Sequence, residues 1–151
     1  MADRRSSSEG GSSSDRLPPQ DLDAEQATLG SILIEPQAAS VAFGVLSPDD
    51  FYREAHRIIA RAMKTVAERN EPIDLVTVSA ELRRMGQIEA VGGGEYLTAL
   101  MNEVPTAAHV KRYADIVADK AVLRELINIG GKIQGMAYED PERITDVLDR
   151  A

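Results

Sequence analysis

Few side chains in this sequence have the type and spacing that chemistry requires. The step closest to a phosphate-cradling loop, G-x-x-x-x-G-K-[ST], is Gly131-Lys132, but Ile133 follows it and Leu126 stands where the first glycine belongs. Gly92-Gly93-Gly94 could cradle a phosphate at a helix start. Glu95 puts negative charge where the anion would sit, so a flexible connector is the better reading. His56 and His109 are the only histidines and lack the spaced partners of a zinc site. His56 reads as a partly buried or surface helix residue, and His109 as a first-turn residue whose charge the helix N-terminus disfavours. Asp49 and Asp50 could pair for acid–base work, yet they follow Ser47-Pro48 and fit the first turn of a helix, as Asp140 does before Pro141. The absence of cysteine removes disulfides, thiolate nucleophiles and cysteine-based metal sites. No catalytic, cofactor-binding or metal-ligating residue is therefore assigned.

Composition narrows the class further. With 151 residues, 43% hydrophobic and 28% charged, the chain is sized for one ordinary folded domain. A formal net charge of −8 argues against a surface built to neutralise phosphates, so direct DNA binding is not expected. No apolar run approaches the roughly 18 residues of a membrane span, and no signal-peptide core is present. A cytoplasmic protein without membrane contact is expected. Residues 1–17 are rich in Ser, Gly and charge, and are expected to form a disordered tail.

From Pro18 onward the apolar spacing is helical almost throughout. Leu22, Gln26, Leu29, Ile32 and Leu33 follow an Asp21 or Asp23 cap and stop at Glu35-Pro36; a short helix then runs to Val45. Ser47-Pro48-Asp49-Asp50 marks the start of a third helix, with Phe51, Ala55, Ile58, Ile59, Ala62, Met63 and Val66 on one face and an end near Asn70. Asp74 caps a fourth segment ending at Gly86; its Val76-Thr77-Val78 favours strand locally, but Leu75, Val78, Leu82 and Met85 keep helical period. Tyr96, Leu97, Leu100, Met101 and Val104 make a fifth helix stopped at Pro105, and Thr106 caps the long segment after it. The stretch from Ala107 to about Tyr138 holds no proline and would be a helix of roughly 48 Å. Val110, Ala114, Val117 and Ala121 form one apolar line on it; Val122, Leu126, Ile129, Ile133 and Met136 form another. Asp140-Pro141 caps a last helix with Ile144, Val147 and Leu148, able to fold back as a hairpin.

The fold expected is all-α: a compact multi-helix globular subdomain over 18–105, then a C-terminal helical hairpin over 106–151. A hairpin cannot bury two broad faces, so a second copy of the chain is the simplest source of the missing surface. The candidate subunit interface is Val110, Val117, Val122, Leu126, Ile129, Ile133 and Met136. Arg83 and Arg84 read as a solvated helix face rather than a partner patch.

Several short runs, in this order, resemble the N-terminal domain of DnaB-type bacterial replicative helicases. They are Pro18-Pro19-Gln20-Asp21-Leu22-Asp23-Ala24-Glu25-Gln26, Leu29-Gly30-Ser31-Ile32-Leu33, Asp50-Phe51-Tyr52 with His56-Arg57, Pro72-Ile73-Asp74, Gly92-Gly93 with Tyr96-Leu97, Val104-Pro105-Thr106-Ala107-Ala108, and Tyr113-Ala114-Asp115-Ile116-Val117. His109 departs from the pattern, standing where asparagine is expected. The resemblance implies hairpins paired between subunits into a hexameric collar built as a trimer of dimers, docking of the primase C-terminal domain, and a role in loading the ring, which makes a helicase loader a further partner. It also implies a motor domain using ATP and Mg beyond Ala151, where the chain looks cut within a helix. No cofactor is expected in this fragment, which is not itself an enzyme. A free-standing helical adaptor is the alternative from another class, distinguished by the absence of that motor.

Overall fold

The computed structural model describes residues 16–139 and 144–150. Residues 1–15 of the expected tail and the expected Asp140-Pro141 cap lie outside them. Among the described residues there are seven α-helices and no strand, as the periodicity predicted: α1 (Leu22–Ile34), α2 (Ala38–Phe43), α3 (Glu54–Glu68), α4 (Leu75–Arg84), α5 (Gly93–Glu103), α6 (Val110–Tyr138) and α7 (Ile144–Arg150). Pro48–Asp50 and Ala107–His109 form single 3-10 turns.

Helix α1 begins where the Asp21 carboxylate accepts the Ala24 N–H at 2.9 Å, and it ends before Pro36 removes the next donor. It is the central post. Its buried residues point to several sides, and it packs against α2, α3, α5 and α6. Gly30 sets its approach to α5: a methyl group there would run into the Leu100 carbonyl and the Val104 side chain. Backbone cannot yield as a rotamer does. Gly30→Ala is therefore expected to cost about 1–3 kcal/mol through overpacking, read as a lower urea midpoint with an unchanged slope. A neutral result would mean that α1 and α5 separate without penalty.

The third helix starts later than its Ser47-Pro48 signal predicted. Pro48–Asp50 makes a 3-10 turn, Phe51 is extended with its ring fully buried, and α3 begins at Glu54. Burying Phe51 against the core wins over continuing the helix. Ile59, Met63 and Val66 on α3 then meet Val78 and Leu82 on α4 and Leu97 and Leu100 on α5 in one core. Gly92-Gly93-Gly94 is likewise not a plain connector. Gly92 has φ of 107° and Gly93 of 73°, and Gly93 and Gly94 already form the first turn of α5.

Helix α4 opens with Asp74 accepting the Thr77 N–H at 2.8 Å, so a helical start overrides the local strand preference of Val76 and Val78. Its Glu81 is buried, and its carboxylate is gripped at 2.6 Å by both Arg84, on the same helix, and Arg69, at the end of α3. The Arg84 hydrogen bond, then the Arg69 one, hold Glu81 down at a pKa of about 2 from an ordinary 4.5, against the upward push of burial. A carboxylate with a depressed folded pKa stabilises fully above its unfolded pKa and loses that contribution as pH falls through the folded one. The stability gap between wild type and Glu81→Gln is thus expected to shrink between pH 4.5 and about 2 in an acid titration followed by circular dichroism. A gap that holds constant over that window would detach Glu81 from the clasp. Arg83 and Arg84 are both exposed, as expected for a solvated helix face, and Arg84 pairs with Glu81 from that position.

Candidate protein interface

Helix α6 is 29 residues long and changes surroundings along its length. Near its start Val110, Ala114 and Val117 are buried in the chain's own core, largely against α1. Val110 and Val117, expected at a subunit interface, are therefore unavailable to a partner. Beyond Ala121 the globular body ends and the helix continues. Val122, Leu126, Ile129 and Ile133 are exposed, at 59%, 59%, 42% and 43%, and Met136 is half-buried. Leu123 and Ile127, which lie on neither apolar line, are exposed beside them at 44% and 58%. Their spacing of three and one from Leu126 was the available signal. The two apolar lines thus have different fates, because α1 is long enough to cover only the first.

Arg124 fixes the point of departure. Its guanidinium donates to the Pro19 carbonyl at 2.7 Å and the Asp50 carbonyl at 2.5 Å, and sits 5.5 Å from the centre of the Tyr52 ring. No periodicity marks such a residue, because both acceptors are backbone groups far away in sequence. A shallow groove of mixed polarity runs alongside, lined among others by Val45, Tyr52, Arg53, Val122, Arg124 and Ile127.

Behind that groove lies a buried polar chain. The Glu25 carboxylate on α1 accepts the Tyr52 N–H at 2.6 Å and the Arg53 N–H at 3.4 Å, and its Oε1 is 2.7 Å from His56 Nδ1 on α3. His56 Nε2 is 2.6 Å from the Tyr96 hydroxyl on α5. His56 is therefore wholly buried, not the partly exposed residue expected, and each ring nitrogen has a partner. The Glu–His–Tyr order resembles acid–base machinery, but Glu25 and His56 are closed to solvent and line none of the surface pockets. Its role is structural: Glu25 supplies acceptors for the two N–H groups that lead into α3 and ties three helices together. Among the described residues no group of His, Asp and Glu is arranged to hold a metal, and no helix is long and apolar enough to cross a membrane. Gly131-Lys132 falls within α6, where no phosphate loop exists.

The family described as DnaB-like helicase N terminal domain matches residues 17–119. The chain belongs to it. The replicative DNA helicase DnaC of Bacillus subtilis (strain 168) is 47% identical over 137 residues, and the replicative DNA helicase DnaB of Geobacillus stearothermophilus is 49% identical over 138. These matches take in 91% of this chain but 30% of each relative, so the chain spans under a third of their length. The crystal structure of the N-terminal domain of DnaB helicase from Mycobacterium tuberculosis superposes with a TM-score of 0.82 at 43% identity, covering 89% of this chain and 94% of that one. A structure of a DnaB-like replicative helicase, described with its interactions with primase, superposes at a TM-score of 0.71 and 27% identity over 85% of this chain and 30% of that one. Within this DnaB-like domain, the family match covers the globular body and the buried start of α6, and the exposed apolar face lies just past it.

Proposed function

We propose that this chain is the collar module of a replicative DNA helicase, holding copies of the parent protein together and offering a docking surface to primase. The observation that carries the reading is the apolar face of α6 beyond Ala121, left bare in a domain of the DnaB-like family. Paired faces would join two copies, and three such pairs would make a hexameric collar. Ring-shaped assembly fits a protein whose relatives are replicative helicases and whose own segment has no phosphate-binding loop. Unwinding, with ATP and Mg, belongs in this reading to a motor domain elsewhere in the parent protein, in the cytoplasm. The net charge of −8 leaves DNA contact to that motor. Docking of the primase C-terminal domain is supported by the primase interactions described for the DnaB-like structure above, and a helicase loader is a second partner of the assembled ring.

The test is a titration of the assembled protein with an isolated primase C-terminal domain by calorimetry. Saturable heat supports the collar role; no heat at hundreds of micromolar removes primase docking from it. Reading the parent gene past the codon for Ala151 checks the motor directly. A strand followed by G-x-x-x-x-G-K-[ST] is the expected continuation, and a stop codon would favour the adaptor alternative.

A further inference from the structure

A cleft on the globular body lies between the first turn of α1, the Val104-Pro105 step after α5 and the start of α6, with a volume of about 370 Å³. That volume falls within the range of small-ligand pockets. Ala24, Ala27, Ile116 and the Tyr113 ring make its inner part apolar, and Asp23 and Glu103 stand exposed at its rim beside half-buried Asp21. No Lys, Arg or His lines it. None of the ion pairs among the described residues involves these carboxylates. Asp21 caps α1 and Asp23 suits its first turn, so both have a local reason to be there. Glu103 has none: it ends α5, where the helix dipole already gathers negative charge, and the last turn of α5 holds no basic residue. Val104 returns no N–H to that helix end, unlike the residues that close α1, α2, α3, α4 and α6, and Pro105 has no N–H to give. The positive end of α1, about half a charge, is outweighed by Asp21 and Asp23.

We propose that this cleft receives an arginine side chain from a segment of a partner protein, its aliphatic stem on the apolar floor and its guanidinium among Asp23, Glu103 and the end of α5. Charge complementarity selects a cation, and the floor selects which one. A lysine ammonium is strongly hydrated and gains little from Ala24, Ala27 and Ile116. A guanidinium is planar and weakly hydrated, and it stacks on an aromatic face such as that of Tyr113. Its fork of donors needs more acceptors than one carboxylate offers. Gln26, which also lines the cleft, adds an acceptor: its amide nitrogen is 3.5 Å from the Tyr96 hydroxyl, and its amide oxygen has no partner among the described residues. Among those residues no acidic group is arranged to hold a metal, and the same acidity repels the phosphates of a nucleic-acid strand. The cleft lies on the body before Ala121, so the proposal rests neither on self-association through α6 nor on primase docking.

Acetyl-Leu-Arg-amide, titrated into the isotope-labelled chain and followed by NMR, tests the site. Saturable shifts are expected at the Ala24, Ala27, Val104, Tyr113 and Ile116 amides. The citrulline analogue, alike in shape but uncharged, is expected to bind at least about tenfold more weakly. Asp23→Asn and Glu103→Gln change exposed positions and leave the core intact; each is expected to weaken the arginine peptide about five- to tenfold. Glu103→Gln should also keep or raise the melting temperature, since it removes negative charge from the end of α5. A citrulline peptide that matches the arginine one, shifts that fall outside this cleft, or no shift at millimolar peptide would overturn the proposal. So would unchanged affinity in both variants. Equal shifts with spermidine would reduce the cleft to an acidic surface patch and overturn it as well.

Discussion

Leu126→Asp is expected to convert the proposed assembly to monomers in light scattering while its helical circular dichroism stays close to wild type. The side chain is 59% exposed in the single chain, so a carboxylate there meets water and the core is untouched. In the proposed pair the same position would be buried. Losing a buried leucine removes about 1.5–3 kcal/mol of transfer free energy, and a two-fold interface counts the change twice. Desolvating two carboxylates adds to that loss. The sum of at least about 3 kcal/mol corresponds to more than a hundredfold in dissociation constant. A dimer that survives the substitution would move the interface off this face of α6. Val117→Asp makes the contrasting control: Val117 lies in the core, so that change should unfold the chain rather than separate copies.

Replacing Glu25 by alanine is expected to cost about 3–5 kcal/mol of stability, because it strips the acceptor from several buried donors at once, each worth about 1–3 kcal/mol when left unpaired. Four groups depend on that carboxylate or on its partner: the Tyr52 and Arg53 N–H groups, the His56 ring and, through it, the Tyr96 hydroxyl. Among the described residues no buried side-chain nitrogen or oxygen lacks a partner, and Glu25→Ala would create such orphans at the start of α3. Tyr96→Phe leaves every Glu25 contact in place and orphans mainly His56 Nε2, so it should cost less, about 1–3 kcal/mol. Urea unfolding of the two variants measures the ratio. Equal losses would show that the carboxylate is not the shared acceptor of this network.

The helix boundaries were mostly legible because their signals are local. Asp21, Pro36, Asp74, Gly86, Pro105 and Thr106 each act on backbone groups within a few residues. Ser47-Pro48 misled because what decides the start of α3 is not local: Phe51 is drawn into the core, and the acceptor for the Tyr52 N–H comes from Glu25, 27 residues earlier. The burial of His56 was hidden for the same reason, since its partners sit on α1 and α5.

The candidate interface divides along the same line. Sequence alone determined that the fold is all-helical, that its long helix carries two apolar lines, and that no thiol is present. Those properties depend on composition and on a period of 3.6, which any stretch of chain reveals by itself. Only the tertiary structure decided which apolar line is core and which is bare. Val117 and Leu126 look alike in sequence, and they differ because α1 packs beside one and stops before the other. Burial is a property of the groups opposite a residue, and for Glu25, His56 and Arg124 those groups were folded in from dozens of residues away.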